Sequence, residues 1–160
     1  MKLFNLIVWF SLALSITACD SNRVFDENRD FKNETWHRDS AIVFNVQITD
    51  TLAVYHVFLN NRITNKYEFS NLYLFIDTEL PNNQILRDTV ECLLREPNGN
   101  PLGKPLGTGF GNVWSNKIPY RKNIRFPMSG TYKFTIEQAM RVDELEHILN
   151  AGIRIEKAKI

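Results

Sequence analysis

The chain has 160 residues, of which 23% are charged, and its formal net charge is +1. This length suits a single domain built around one hydrophobic core. A chain without a basic excess offers no electrostatic basis for binding nucleic acid or an anionic membrane surface. We therefore expect no nucleic-acid partner.

Residues 1–18 have the features of a bacterial export signal. Lys2 supplies a short positive start, and a mostly apolar stretch follows it over residues 3–16. This stretch is too short to cross a bilayer, which needs about 20 apolar residues, but it fits the apolar centre of a signal peptide. We therefore exclude residues 1–18 from the folded domain.

A single cysteine directly follows this signal. The residues Ile-Thr-Ala-Cys at 16–19 resemble the bacterial lipobox, in which an aliphatic, a small or polar and an Ala or Gly residue precede an obligate cysteine. The resemblance implies cleavage after Ala18, a diacylglycerol on the sulfur of Cys19 and a further acyl chain, such as palmitate, on its new amino group. Two or three acyl chains anchor a protein firmly, because each buried methylene adds about 0.8 kcal/mol. The alternative is an ordinary signal peptide whose first mature residue happens to be cysteine.

Removal of the signal changes the charge and the cysteine inventory of the chain. Loss of Lys2 leaves equal numbers of basic and acidic residues. Cys92 is then the one thiol that is not acylated, so no disulfide can form within the mature chain. Such a domain must be held together by its core. Cys92 itself lies in a strand-like apolar context, where we expect a buried and unreactive thiol.

Residues 19–39 are predicted to form a lipidated tether. Charged and amide residues dominate this segment, which therefore cannot bury much apolar surface by itself. Phe31 and Trp36 are its exceptions. We expect these two aromatic residues to mark where the tether docks on a globular domain over residues 40–160.

Most of the remaining chain has the period-two alternation that is typical of half-buried strands. Asp50 and Thr51 are predicted to form a hairpin connection, and residues 81–83 a turn, because Pro and Asn favour turn conformations. The strand at 71–80 is apolar on both faces, which predicts a central position in its sheet. The predicted strands cover residues 41–48, 54–62, 71–80, 85–96, 113–118, 122–126, 130–138 and 153–157.

Two other segments break this alternation. Residues 97–111 hold five of the seven glycines, so we expect the longest loop of the domain there. Apolar residues at helical spacing follow early acidic residues over 142–149, which predicts one short helix near the C-terminus. Seven or eight strands and one late helix predict an all-β fold: an antiparallel β-sandwich with a jelly-roll-like order.

The sequence contains no recognisable catalytic or metal-binding pattern. His37, His56 and His147 are spread over the chain and have no metal-ligand spacing with other donors. The glycine-rich loop lacks the Gly-Lys-Ser/Thr ending of a phosphate-binding loop, and no Gly-x-Ser-x-Gly motif is present. We therefore predict a protein that is not an enzyme and binds neither a metal nor another cofactor.

Two kinds of surface site remain as hypotheses. Phe110 and Trp114 lie near the end of the glycine-rich loop and could anchor a partner, although both rings could equally cover the end of the sandwich. Ser40 and Thr51 each stand in an Asp-Ser/Thr-apolar context, which resembles the acceptor for O-glycosylation in Bacteroidetes. Both residues are therefore predicted modification sites.

A carbohydrate-binding module is the alternative to a protein-binding role, because jelly-roll sandwiches often bind sugars. Such a module needs an exposed platform of aromatic rings. The sequence offers four rings for this platform: Trp36, Tyr67, Trp114 and Tyr120.

Several longer stretches carry a resemblance to one family. They read CDSN, TWH, YEFSNLYLF, RDTVEC, IPYRKNIRFPMSGTYKFTIEQAMR and GIRIEK. Together they resemble the gliding-motility lipoproteins of the GldH family of Bacteroidetes, from Cys19 to about Lys157, and the C-terminal block is the most specific part.

This resemblance implies a role in the cell envelope. It implies a non-catalytic lipoprotein that is needed for gliding over surfaces, is associated with type IX secretion and acts beside other lipoproteins of that machinery. The lipidated cysteine, here Cys19, is the one functional residue that carries over. We expect the protein to be lipid-anchored in the outer membrane and to face the periplasm.

Overall fold

Strands make up almost all of the regular structure in the computed structural model, which describes residues 20–107 and 112–159. One 3-10 turn, Lys32–Glu34, accompanies them. The strands in this part of the chain are Arg23–Asp30 (β1), Thr35–His37 (β2), Ile42–Ile48 (β3), Tyr55–Thr64 (β4), Asn71–Glu79 (β5), Ile85–Leu93 (β6), Lys104–Pro105 (β7), Val113–Ile124 (β8), Gly130–Gln138 (β9), Glu144–Glu146 (β10) and Ile148–Lys157 (β11).

Two antiparallel sheets form the body of the domain. The five-stranded sheet has the order β1-β11-β4-β8-β7, and the four-stranded sheet has the order β3-β9-β5-β6. A small pair, β2 with β10, joins Trp36 to Leu145 at the side of the sandwich. The predicted antiparallel β-sandwich is confirmed. The chain crosses between the two sheets at most of its connections, which is the feature it shares with a jelly roll.

The period-two pattern accounts for the core. Along β3 the residues alternate strictly between buried and exposed, and β4 buries every second side chain from Tyr55 to Ile63. Both inner faces contribute to one continuous cluster of buried apolar side chains. The predicted central strand is β5, which lies between β9 and β6, and the predicted turn at 81–83 follows it. Asn83 adopts the left-handed conformation there, with φ 64°.

The predicted tether is largely wrong as a description of residues 23–37. Residues Arg23–Asp30 form an edge strand that pairs with β11 from Arg23 to Asp30. This strand needs little apolar surface of its own, because backbone hydrogen bonds to β11 and ion pairs hold it in place. Phe31 and Trp36 do mark a docking point: their rings stack with centroids 4.6 Å apart, and Trp36 is fully buried.

The predicted helix over 142–149 is also wrong. Leu145 lies in β10 and Ile148 begins β11, and both side chains are fully buried. His147 stands between the two strands with φ 63°, which turns the chain so that residues three apart face the same core. A strand, a turn and a strand thus reproduce the spacing of one helical turn.

Two connections differ from the sequence prediction as well. Asp50 and Thr51 do not close a hairpin, because β3 pairs with β9 while β4 pairs with β11 and β8 in the other sheet. The two strands predicted at 113–118 and 122–126 are one strand, β8, which bends through register shifts opposite Val57. Apolar alternation identifies a strand but not its partner.

Close packing at Gly152 holds β1 against β11. A Cβ atom at this position would lie 2.1 Å from the carbonyl oxygen of Glu27 and 2.3 Å from Oδ1 of Asn28. We predict that Gly152→Ala lowers the free energy of unfolding by about 1–3 kcal/mol, as overpacking does. It should also speed amide hydrogen exchange over residues 23–30, measured by mass spectrometry.

The matched control is Val43→Ala, at a strand position where the side chain is 40% exposed. This control should leave hydrogen exchange over residues 23–30 unchanged and should lower the free energy of unfolding by less than about 1 kcal/mol, the range of strand propensities. Unchanged exchange over residues 23–30 in Gly152→Ala would contradict the close fit of β1.

Candidate functional site

The two long edges of the sandwich differ. On one side, the ring of Phe25 in β1 contacts the ring of Phe44 in β3 edge to face, with centroids 6.1 Å apart. On the other side lie β6 and β8, and no strand of the described part of the chain pairs with the outer side of β6. We call this second side, formed by β6 and β8, the open edge.

A polar cluster bridges the two sheets at the open edge. The hydroxyl of Tyr120 in β8 donates a short hydrogen bond to Oδ2 of Asp88 in β6, and Nη2 of Arg121 lies 2.6 Å from the same oxygen. The hydrogen bond from Tyr120 is the main cause that lowers the pKa of Asp88, and the hydrogen bond from Arg121 lowers it further. Burial and the neighbouring carboxylate raise the pKa of Tyr120 to about 12. Asp88 is therefore an ionised carboxylate that accepts both hydrogen bonds at one oxygen, Oδ2.

An apolar cavity of about 240 Å³ opens beside this cluster, between the two sheets. Its walls are mainly aliphatic and aromatic, and Leu86 at its rim is 46% exposed. Such a space can accept an apolar side chain, while Asp88 and Arg121 provide a polar rim. Its apolar lining residues include Val57, Leu80, Ile124, Phe126 and Phe134.

A wider groove of about 740 Å³ lies farther along the open edge. It runs between the end of β6 and the segment that contains β7. Leu93, Leu102 and Leu106 contribute to its walls and are 59%, 51% and 45% exposed. Apolar side chains that are exposed together in this way are typical of protein contact surfaces.

A charged network lies on the outer face of the five-stranded sheet. The guanidinium of Arg154 in β11 contacts the carboxylates of Asp20, Asp26 and Glu156. Desolvation acts to raise the pKa of Asp20, but the hydrogen bond and the charge of Arg154 outweigh it and lower this pKa. The residue next to Cys19 is thus tied to the last strand of the sheet.

The described part of the chain offers neither a metal site nor a membrane-spanning helix, and its one thiol is buried. Among residues 20–107 and 112–159, no three side chains of His, Cys, Asp or Glu come together as a metal site would require. Over the same ranges, no helix combines the length and the hydrophobicity of a membrane span. Cys92 is fully buried, and burial raises its pKa to about 12, as expected for an unreactive thiol.

The structure does not assemble the aromatic platform that a sugar-binding module would need. Trp36 and Tyr67 are 0% and 2% exposed, so neither ring offers a face to a ligand. Trp114 is half-buried in β8 opposite Pro105, and Tyr120 belongs to the Asp88 cluster. Phe110 lies outside the described residues.

The predicted modification sites lie in turns. Ser40 is exposed, and its carbonyl oxygen accepts a hydrogen bond of 2.7 Å from Nε1 of Trp36. Thr51 is half-buried in a turn where Oδ1 of Asp50 accepts hydrogen bonds from two later backbone N–H groups. Modification at either residue stays a prediction. Ala18 and Cys19 lie outside the described residues.

Comparison with known families shows which family the chain belongs to. The sequence profile described as GldH lipoprotein matches residues 23–155. The chain belongs to the GldH lipoprotein family. The match starts at the first residue of β1 and ends within β11, so the unit that the GldH family shares is the whole sandwich, including the segment predicted as a tether.

Two relatives support this membership. The protein named gliding motility lipoprotein GldH homolog, from Christiangramia forsetii, is 36% identical over 97% of this chain and 96% of its own length. The protein named gliding motility lipoprotein GldH, from Flavobacterium johnsoniae, is 34% identical over 98% of this chain and 99% of its own length. The likeness therefore covers the chain of each GldH relative almost end to end.

Sequence reasoning missed the residues that distinguish the open edge of this GldH family member. Asp88 and Tyr120 are 32 residues apart, and neither stands in a motif that indicates a contact between them. One signal was available: Leu86, Asp88, Val90 and Cys92 alternate on one face of a strand, so an acid is placed on the apolar side. A carboxylate in that position needs a partner from the opposite sheet.

The Asp88 cluster yields a pH-dependent prediction. Because the pKa of Asp88 is lowered in the folded state, its stabilising effect is present above the ordinary value of 3.8 and is lost as the pH falls through the folded-state value. We expect Tyr120→Phe to raise the pKa of Asp88, measured by NMR titration. At neutral pH it should lower the free energy of unfolding by about 1 kcal/mol, as loss of a hydrogen bond to a partly exposed charge does.

The difference in stability between Tyr120→Phe and the unchanged chain should shrink as the pH falls below 3.8. Tyr73→Phe is the control, because Tyr73 lies on the exposed outer face of the neighbouring strand β5. A pKa of Asp88 that is the same in both variants would contradict the role of the Tyr120 hydroxyl.

Proposed function

We propose that this chain is a lipid-anchored, non-catalytic component of the gliding-motility apparatus, in which it acts as a scaffold or adaptor. The observation that carries the proposal is its near full-length similarity to two proteins named as gliding motility lipoproteins. The lipobox-like residues at 16–19 support the anchor. The link to type IX secretion and the location in the outer membrane, facing the periplasm, are part of the same proposal.

The position of the first described residue fits a membrane-anchored protein. Asp20 contacts Arg154, and the backbone N–H of Arg23 donates a hydrogen bond of 3.1 Å to the carbonyl oxygen of Asp20. An acyl chain on Cys19 would therefore be attached one residue before this contact. A domain held at a surface in this way meets other anchored proteins at high effective concentration, so modest affinity is sufficient for assembly.

The groove of the open edge supports contacts with proteins rather than with sugars. Its large exposed apolar side chains are aliphatic: Leu93, Leu102 and Leu106. Charged residues line the groove beside them. Aliphatic side chains bury apolar surface against a protein partner but provide no aromatic face for a sugar ring. We therefore place the partner contacts of the adaptor at this groove.

The anchor is tested by Cys19→Ser. We expect this variant to move from the membrane fraction to the soluble periplasmic fraction, and we expect gliding, where the host glides, to be lost. Cys92→Ala is the control, because it removes a thiol without touching the anchor. Normal membrane association and normal function of Cys19→Ser would overturn the proposal.

The adaptor role is tested by photo-crosslinking in intact cells. A photoreactive amino acid at position 102 should capture envelope proteins of the gliding or type IX secretion machinery, identified by mass spectrometry. The same amino acid at position 43, which is 40% exposed on the outer face of β3, serves as the control. Equal capture at both positions, or capture of no component of either machinery, would contradict the proposed partner surface.

A further inference from the structure

Strand β6 is a long sheet edge whose one neighbour in the described part of the chain is β5. All nine of its residues, Ile85–Leu93, pair with β5 in one register without a bulge. Within residues 20–107 and 112–159, no backbone hydrogen bond joins the other side of β6 to another segment. An edge of this kind is a template for pairing with a further strand.

The remaining sheet edges are shorter or more interrupted than β6. The part of the outer side of β8 that β7 leaves unpaired contains Pro119, which has no N–H group, and the register shifts opposite Val57. Strand β7 has two residues, and one of them is Pro105, which has no N–H group to donate. Strands β1 and β3 lie beside each other, with Phe25 against Phe44. The backbone of β6 therefore stands out as the pairing surface of this sandwich.

The backbone groups that β6 presents outward can be identified. Leu94 donates a hydrogen bond of 2.9 Å to Ser70, and the carbonyl oxygen of Gln84 accepts one of 2.8 Å from Leu80, both in the register of the β5-β6 pair. The carbonyl group of Gln84 and the N–H group of Leu94 thus point toward the β5 side of the strand. Because these directions alternate along a strand, the odd-numbered residues of β6 turn theirs away from β5.

The side chains of these outward-facing residues form a self-complementary series. In chain order they are Ile85, Arg87, Thr89, Glu91 and Leu93. We propose that β6 pairs with β6 of a second copy of this chain, antiparallel and centred on Thr89. In that register Ile85 lies opposite Leu93 of the partner, Arg87 lies opposite Glu91 of the partner, and the two Thr89 residues face each other.

Neighbouring registers lack this complementarity. A shift of two residues in one direction places Arg87 opposite Thr89 and Ile85 opposite Glu91 of the partner. The opposite shift places Arg87 opposite Leu93 of the partner. The centred register alone pairs apolar with apolar residues and opposite charges with each other, and both kinds of cross-strand pair stabilise antiparallel sheets.

The present environment of these side chains also favours pairing. Ile85 and Leu93 are 61% and 59% exposed, so the pair would remove two large apolar side chains per copy from water. Glu91 accepts a hydrogen bond of 2.7 Å from Asn71 but forms no ion pair within the described residues. Arg87 of the partner would supply the missing cation.

The two-fold axis of such a pair is compatible with a shared membrane. In an antiparallel pair the axis is perpendicular to the sheet, so both copies keep their five-stranded sheets on the same side. Asp20 and its contact with Arg154 lie on the outer face of that sheet in each copy. Both attachment points therefore face one side of the dimer. The inference does not depend on the proposed role in gliding.

Disulfide trapping tests the register. Facing residues in a hydrogen-bonded antiparallel pair have Cα atoms about 5.5 Å apart, which suits a disulfide. We expect the acylated full chain with Thr89→Cys to form a covalent dimer under mild oxidation in membranes. Asn45→Cys, on the outer face of edge strand β3 in the same sheet, is the control and should stay monomeric. Equal crosslinking of the two variants, or none with Thr89→Cys, would overturn the proposal.

Charge reversal tests the partner contacts independently. In detergent, measured by light scattering, the purified acylated chain should have twice the protein mass of a monomer. Arg87→Glu and Glu91→Arg should each be monomeric, because like charges then face each other across the axis. An equimolar mixture of these two variants should dimerise, because both facing pairs are again of opposite charge.

The mixing experiment also controls for folding, since variants that are damaged by the substitution cannot recover on mixing. Arg87 contacts Asp77 and Glu137 in its own sheet, so the melting temperature of each variant is recorded alongside. Unchanged mass in the single variants, or a mixture that stays monomeric while both variants are folded, would contradict the pairing.

Discussion

Apolar packing between the two sheets is the interaction on which the rest of this structure depends. The rings of Tyr55, Phe126 and Tyr132 form a continuous contact across the sandwich, with centroids 5.2 and 4.8 Å apart. The one thiol that the structure describes, Cys92, is free and buried, so no disulfide adds to this packing. The core therefore both holds the sheets together and decides which of their edges stay exposed.

The two edges of the sandwich differ in how completely they cover this core. On the closed side, aromatic rings of β1 and β3 meet and cover the end of the core. On the open side, one carboxylate accepts hydrogen bonds from Tyr120 and Arg121, and apolar surface remains uncovered on either side of it. A bridge made from a partly exposed carboxylate and two donors links the sheets where hydrophobic contact is incomplete. Surfaces for partners arise at such places.

The sequence was sufficient to predict the class of the fold, because a period of two in apolar residues is a direct consequence of strand geometry. Strand β3 is the clearest case, with alternating buried and exposed residues from Ile42 to Ile48. The sequence was insufficient where a helix and a strand-turn-strand give the same spacing of apolar residues, as at Leu145 and Ile148 around the turn at His147. It also failed for β1, whose polar residues are held by partners that are remote in sequence, such as Arg154.

The candidate site was still harder to predict. Trp36 was predicted both as a docking residue and as a ring of a sugar platform, and its fully buried ring, stacked on Phe31, fits the first of these but not the second. The groove depends on the relative position of β6 and the segment around β7, which no local pattern specifies. The lipobox-like residues are the exception, because their signal is local and does not depend on the fold.

The contact between Asp20 and Arg154 sets a limit on how far this protein can operate from a lipid surface. With the anchor proposed at Cys19, three residues separate the lipid from Arg23, the first residue of β1, so the sandwich stays close to the bilayer. A twelve-residue strand such as β8 is about 40 Å long, which bounds the height of the domain. Any protein that binds this domain must therefore place its binding surface within that distance of the membrane.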